Sequence, residues 1–451
     1  MPRRSRSRTT FKTIRERLRR RRRGPPREPG THSHNPLVRY FRVLGPGLVT
    51  GASDDDPSGI ATYAVAGASI GTSLLWTAGA TFPLMTAIQL ICARIGLVSG
   101  VGLMAAVRGR YRHGFLQIAC LLLLVANTFN IAADLAGMGE AVEMLLGLSP
   151  RLVVPIMGVA ILLTTIYCRY ASFAQYLKWL TIALFAYVIT AFLAAPDWKQ
   201  VLWATIIPTV HWNREWLMTL VGILGTTISP YLFFWQASHE VEEMKAQGLV
   251  TLRERQGATA HELQDARLDV GIGMLFSNLV MYFIILTTAA TLHRAHVGGI
   301  ETTRQAAEAL RPLAGDGAYL LFTIGILGTG FLAIPILMGS ASFAVAELYR
   351  WRAGLDHPFG RAPRFYLVMV LSLVGALVLD LLHLSPIRML FWSAVLNGIL
   401  APPLMVLVML VGNNREIMGK DVNGFWLNTL GWTATALMTL AAGAFLVSSL
   451  L

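Results

Sequence analysis

The sequence predicts an all-α polytopic membrane protein of about eleven transmembrane helices, arranged as an inverted repeat of five plus five with helices 1 and 6 broken. Three observations carry this prediction. Of 451 residues, 54% are hydrophobic and 14% are charged, against about 25% charged in an ordinary soluble domain. Apolar stretches long enough to span a bilayer, roughly 20 residues each, recur from residue 42 to the end. Two of them, at corresponding places in two groups of five, are interrupted near the middle by a polar residue and a proline. This composition excludes a soluble enzyme, a disordered chain and a secreted disulfide scaffold. No Gly-rich phosphate loop, nucleophile-elbow motif or zinc-ligand spacing is present, so the chain is read as no enzyme.

Residues 1–40 read as a disordered basic cytoplasmic tail. Residues 1–42 hold fifteen Lys and Arg against Glu16 and Glu28, a net of +13, which is the net charge of the whole chain. The run Arg19 to Arg23, with Pro25, Pro26 and Pro29, offers no core to fold around. Such a tail suits the anionic lipid surface rather than nucleic acid. It is not a signal peptide, because no short apolar segment with a cleavage site follows it.

The apolar stretches are predicted at 42–68, 73–98, 114–137, 150–168, 172–195, 217–241, 268–292, 317–349, 364–383, 386–411 and 425–450. They group into a first five-helix repeat at 41–195, a second at 196–411, and a cytoplasmic segment with a final helix at 412–451. Residues 196–216, with Trp198, Trp203 and Trp212, read as an outer interfacial segment. The polar run 242–267 reads as a cytoplasmic loop with a short surface helix, and the acids Glu240, Glu242 and Glu243 as a solvated helix end. Basic residues gather in alternate loops: Arg108, Arg110 and Arg112; Lys245, Arg253 and Arg255; Arg350 and Arg352. This bias places the N-terminus in the cytoplasm and the C-terminus outside, in a bacterial inner membrane. Cys92, Cys120 and Cys168 lie in apolar runs and are expected to form no disulfide.

The first interrupted stretch contains Ser53-Asp54-Asp55-Asp56-Pro57-Ser58-Gly59, the sixth Gly225-Thr226-Thr227-Ile228-Ser229-Pro230-Tyr231. Each acid costs about 2.5–3.5 kcal/mol at the centre of a membrane helix, so three in a row require backbone that lines a polar cavity. Asp56 before Pro57 and Ser229 before Pro230 each read as an N-cap with proline at the first helical position. A break also frees carbonyls at the C-terminal end of the incoming half-helix, where the dipole attracts cations. Asp56, Asp55, the Thr226 carbonyl and the Ser229 hydroxyl form the candidate metal site, all of them oxygen donors suited to hard divalent ions. Asp134, inside the third stretch, either relays protons or is held by a polar neighbour. Asn278 and Asn397 either bridge helices or touch the substrate.

These motifs resemble the natural resistance-associated macrophage protein (NRAMP) family of divalent-metal transporters. Gly45-Pro46-Gly47 followed by Asp56-Pro57-Ser58-Gly59 is similar to that family's GPG…DPGN signature. Gln89 with Ala93-Arg94-Ile95-Gly96, Ala133-Asp134-Leu135-Ala136, Phe322-Thr323-Ile324-Gly325-Ile326-Leu327 and the segment Asn414 to Gly424 match further family patterns. The resemblance covers about residues 40–450. It implies an eleven- or twelve-helix inverted-repeat fold that moves divalent cations inward, usually with protons. The divalent cation is then the substrate, and no cofactor is implied.

The departures from the family pattern are informative. The resemblance implies a metal site made by the Asp and Asn of DPGN, a Met before a Pro-His pair in helix six, and a carbonyl three residues earlier. Asp56 keeps the Asp and Thr226 the carbonyl. Gly59 stands in place of the Asn, Ser229 in place of the Met and Tyr231 in place of the His. Gln236 stands where a second His is expected, and Gly137 where an acid follows Asp134. The lost thioether favours Mn, Fe and Cd over Mg and Ca, so in lacking it the chain is similar to branches of the family associated with Mg, and Mg or Mn is the expected ion. Loss of the titratable groups weakens the expectation of proton coupling. Two other readings fit the same scaffold: an amino-acid-like organic-solute transporter, with Tyr231, Phe233, Phe234 and Trp235 lining its pocket, or a membrane sensor that binds without transport.

Overall fold

The computed structural model describes residues 50–51, 53–167, 183–295, 300, 302–355, 357–382 and 384–450. The basic tail, the Gly45-Pro46-Gly47 motif, Cys168 and much of the predicted fifth stretch lie outside the described residues. The long helices are α1 (Pro57–Ile70), α2 (Trp76–Ser99), α3 (His113–Leu146), α4 (Pro150–Tyr167), α5 (Phe185–Leu193), α6 (Arg214–Thr227), α7 (Pro230–Ala246), α8 (Ala260–Thr288), α9 (Ala318–Tyr349), α10 (Pro363–Asp380), α11 (Pro386–Gly412) and α12 (Phe425–Leu450). Residues 50, 51, 53 and 54 are also helical and form the end of the half-helix that precedes α1. Among the described residues, nine helices are long and apolar enough to cross a membrane, with α6 and α7 counted as one.

Several boundaries differ from the sequence expectation, each for a local reason. Helix α3 runs on to Leu146, because Glu140 and Glu143 sit within its last turns and Gly147, at φ 68°, supplies the left-handed cap. Helix α8 begins at Ala260, where Thr259 and Glu262 form a capping box. The predicted loop 242–267 therefore shrinks to a short connection holding a four-residue helix, Leu252–Arg255. Glu240 is a correction of another kind. It is buried and accepts a hydrogen bond from Gln236 Nε2 at 2.9 Å, so this helix end is packed rather than solvated. The interfacial segment contains a helix at Trp198–Ile206, capped by Asp197, with Trp203 and Trp212 exposed.

The burial pattern is that of an integral membrane protein. Of the most apolar window of each span, 89% is buried in α6–α7 but 28% in α4, so α6–α7 is central and α4 peripheral. The outer face of α4 carries Leu152, Ile156, Val159 and Leu163, and that of α10 carries Leu367, Leu371, Val374 and Val378, all exposed. Such stripes at helical spacing are stable against hydrocarbon and not against water. Cys92 and Cys120 are buried free thiols.

Helix α8 lies along α1 and α2, α7 along α2 and α9, α6 along α11, and α3 along α9, α10 and α11. Exchanging the first span with the sixth and the second with the seventh maps the α1–α8 contact onto the α7–α2 contact. That exchange is the mark of two repeats related by a two-fold axis in the membrane plane.

Two close backbone approaches seat the first span on α8. A Cβ at Gly51 would lie 2.2 Å from the Gly273 carbonyl oxygen, and one at Gly67 2.3 Å from the Ile285 carbonyl oxygen. Only glycine fits at either position. Helix α6 meets α11 in the same way, through Gly225 and Gly398.

Candidate metal centre

The first span breaks at Asp55 and Asp56, and the sixth at Ile228 and Ser229. Proline follows each break at the first helical position, where its missing N–H costs nothing. Asp56 caps α1 as expected: its Oδ1 accepts the Gly59 N–H at 2.7 Å. Its Oδ2 accepts from Asn130 Nδ2 on α3 at 3.1 Å, and Asn130 Oδ1 in turn accepts from Asn397 Nδ2 on α11 at 3.1 Å. Asp134, one turn beyond Asn130 on α3, accepts the Ser58 N–H through Oδ1 at 3.2 Å. The Ser58 hydroxyl donates to the Leu390 carbonyl at 2.7 Å. The N-terminus of α1, the positive end of its dipole, thus faces two carboxylates.

The acid triplet divides between two neighbours. Asp56 turns toward α3, whereas Asp54 and Asp55 turn toward α8. There one hydroxyl, that of Ser277, donates to Asp54 Oδ2 at 2.7 Å and lies 3.3 Å from Asp55 Oδ1. Asp54 Oδ1, Asp55 Oδ2 and Asp134 Oδ2 are buried with no hydrogen-bond partner. All four acids are at least 98% buried, with relative exposures of 0–2%. Among the described residues no lysine or arginine pairs with any of them. Buried carboxylates without a counter-charge are costly, and the orphaned oxygens are acceptors with capacity left. Among the described residues no three acids, histidines or cysteines gather closely enough to hold an ion by themselves, so carbonyls or hydroxyls must complete any site.

The second break is built differently. Ser229 makes no cap bond to α7. Its hydroxyl donates backward, to the Thr226 carbonyl at 2.6 Å. Thr226 itself lies across the gap from α1: a Cβ at Gly59 would stand 3.0 Å from the Thr226 hydroxyl. Tyr231 donates to the Ser53 carbonyl at 3.0 Å and so ties α7 to the half-helix before Asp54. Gln236 accepts from Thr50 Oγ1 at 2.7 Å and donates to Glu240, rather than bonding any acid of the triplet. Gly137 packs against Leu390: a Cβ there would stand 2.8 Å from Leu390 Cδ1, the end of a side chain that would have to turn aside.

Asp56, Asp134, Gly59, Thr226 and Tyr231 therefore gather around the two breaks, with Ser229 on the Thr226 carbonyl and Asp55 on α8. Sequence reasoning missed Asn130 and Ser277 and left Asn397 open between two roles. For Asn130 a signal existed: it precedes Asp134 by four residues, which puts both polar groups on one face of an apolar helix. Asn278 proves to bridge helices, its amide 3.2 Å from the Thr81 hydroxyl of α2.

Known proteins bear on this arrangement in three ways. The chain matches the natural resistance-associated macrophage protein-like family over residues 47–448. The divalent metal cation transporter MntH of Klebsiella pneumoniae is 26% identical over 415 residues, 91% of this chain and 94% of that protein. A mutant of the Eremococcus coleocola manganese transporter superposes with a TM-score of 0.70 at 17% identity, over 91% of this chain and 87% of that one. At that identity the superposition concerns the fold, and it is an inverted-repeat transporter fold. The match over most of the chain, with the two broken spans and the buried acids between them, makes this chain a member of the natural resistance-associated macrophage protein-like family.

Proposed function

We propose that the chain moves a divalent metal cation across the membrane by alternating access, with Mg or Mn as the ion. The observation that carries this reading is the set of four buried carboxylates at and beside the first break, Asp54, Asp55, Asp56 and Asp134, which have no lysine or arginine partner among the described residues and carry three orphaned oxygens. A divalent cation supplies the missing charge, and the similar proteins named above are divalent-cation and manganese transporters. The donors at the breaks are all oxygens: Asp56, Asp55, the Thr226 carbonyl and the Ser229 hydroxyl. That set favours Mg or Mn over soft ions such as Cd.

Transport then has three parts. Asp56 binds the ion beside the Thr226 carbonyl, and the freed end of α6 adds its dipole. The bound ion offsets the charge that otherwise makes a closed site costly. The half-helix before Asp54 leaves α8 at its Gly51–Gly273 contact to open one side, with the Tyr231 and Gln236 bonds as its ties to α7. Proton coupling is expected to be weak, because Tyr231, Gln236 and Gly137 stand where the family carries titratable groups and leave Asp134 as the acid beside the break that could relay a proton. No observation favours an organic solute or a non-transporting sensor.

The test is uptake of Mg, Mn, Ca and Cd into vesicles holding the purified protein, with and without a pH gradient. Saturable Mg or Mn uptake that needs no gradient is the expected result. Binding without flux, or flux of an organic solute alone, overturns the reading.

A further inference from the structure

We propose that Asn130, oriented by Asn397, is a specificity-determining positioning residue that holds Asp56 to one-oxygen coordination and so favours small, hydrated divalent ions over Ca. The inference rests on the function proposed above and concerns residues to which that reading gives no role. It starts from position 59. An amide there would be crowded, because a Cβ at Gly59 would stand 3.0 Å from the Thr226 hydroxyl and 3.3 Å from the Asp54 carbonyl oxygen, so these neighbours would have to shift. The amide that does reach Asp56 comes from a different helix. Asn130 of α3 is buried, with 1% of its surface exposed, and donates Nδ2 to Asp56 Oδ2 at 3.1 Å.

Asn397 occupies the other end of that amide and holds it in place. Its own Nδ2 donates to Asn130 Oδ1 at 3.1 Å. With its oxygen held on α11, Asn130 can present only its N–H to Asp56. It therefore acts as a donor to the carboxylate and not as a ligand of the ion. Asp56 Oδ1 is held separately by the Gly59 N–H at 2.7 Å. The carboxylate thus carries a donor on each oxygen, one from its own helix and one from α3, and its rotation is fixed between them.

Each donor takes one of the two lone-pair sites on its oxygen, and the two together fix the rotation of the carboxylate. Turning the group to bring both oxygens onto one ion works against these two bonds. Ions differ in how much they ask for. Ca takes six to eight oxygens at about 2.3–2.6 Å and commonly grips a carboxylate with both, whereas Mg binds octahedrally at about 2.0–2.1 Å, uses few carboxylates and keeps several waters. The Asn130 bond is therefore compatible with Mg and opposes the grip that suits Ca. Removing it frees Asp56 Oδ2 for the larger ion.

The experiment compares wild type, Asn130→Ala, Asn397→Ala and the double variant in vesicles, with kcat and KM measured separately for Mg and Ca. In Asn130→Ala the ratio of kcat/KM for Ca over Mg is expected to rise about tenfold, the worth of one hydrogen bond to a charged group. Most of the change should fall in KM. Asn397→Ala should move the ratio the same way by less, and the double variant should move it no further than Asn130→Ala, because Asn397 acts through Asn130. Calorimetric binding of Mg and Ca to the detergent-purified proteins gives a second readout. If Asn130→Ala does not fold, the milder Asn397→Ser carries the same expectation at smaller size. Equal losses for both ions, with the ratio unmoved, mean a merely structural pair and overturn this inference while the transport reading stands. Wild type that takes up neither Mg nor Mn overturns both.

Discussion

The two breaks read alike in sequence and bond in opposite directions. Asp56 reaches forward and accepts the Gly59 N–H of the helix that follows, whereas Ser229 reaches backward and donates to the Thr226 carbonyl of the helix that ends. The cause is elementary. An ionised carboxylate only accepts hydrogen bonds, so it can satisfy the free N–H groups of a helix start and not the free carbonyls of a helix end. A hydroxyl also donates, and at Ser229 the carbonyls were the nearer need. One break therefore ends in a carboxyl group turned onto the helix that follows. The other ends as a carbonyl already carrying a hydrogen bond. A polar residue before a proline marks where a membrane helix stops; which half it serves depends on whether the side chain can donate.

The sharpest way to break this comparison is Asp56→Ala. Taking away the carboxyl half should bring Mg and Mn uptake down to the level of empty vesicles, a loss of about 3–5 kcal/mol in cation affinity. The fold should survive, since a lost cap costs only about 1 kcal/mol. Unchanged calorimetric affinity in a monodisperse variant would remove Asp56 from the site.

Ser229→Met acts on the other half. It removes the hydrogen bond from the Thr226 carbonyl and adds a thioether, so competitive uptake should shift toward Cd over Mg by about tenfold, or about 1.4 kcal/mol. A ratio that stays where it was in wild type shows that this position does not set selectivity.

A third variant, Ser277→Ala, tests the face of the triplet that turns to α8. It strips Asp54 and Asp55 of their shared donor and should lower stability by about 1–3 kcal/mol. Thermal unfolding in detergent should show a lower midpoint, and added Mg should recover part of it if the ion offsets these charges. A midpoint that Mg leaves where it was would disconnect these acids from the ion. The smallest expected signal is the proton one: Mn uptake should acidify the vesicle interior little, and strong metal-driven acidification would mean that Asp134 or a neighbour relays protons after all.

Much of this arrangement was legible in the chain. Membrane spans follow from hydropathy because each must satisfy its own backbone, and Pro57 and Pro230 marked both breaks. Boundaries slipped where charge and helix coexist. Glu140 and Glu143 look like loop residues but lie in the last turns of α3, and Glu240 looks solvated but is paired with Gln236 one turn away. The partners of the acids were harder to see. Ser277 meets Asp54 across 223 positions and Asn397 meets Asn130 across 267, and no local pattern encodes such pairings. Asn130 alone had a local clue, its place one turn from Asp134.

The seating of the first span on α8 has a mechanical consequence. The glycine contacts lie on either side of the break, at Gly273 on one side and at Ile285 on the other. Twelve residues of helix separate them, about 18 Å. One helix therefore carries both halves of the broken span, each on its own seat. A methyl group added at position 51 would disturb one seat and leave the other as it was.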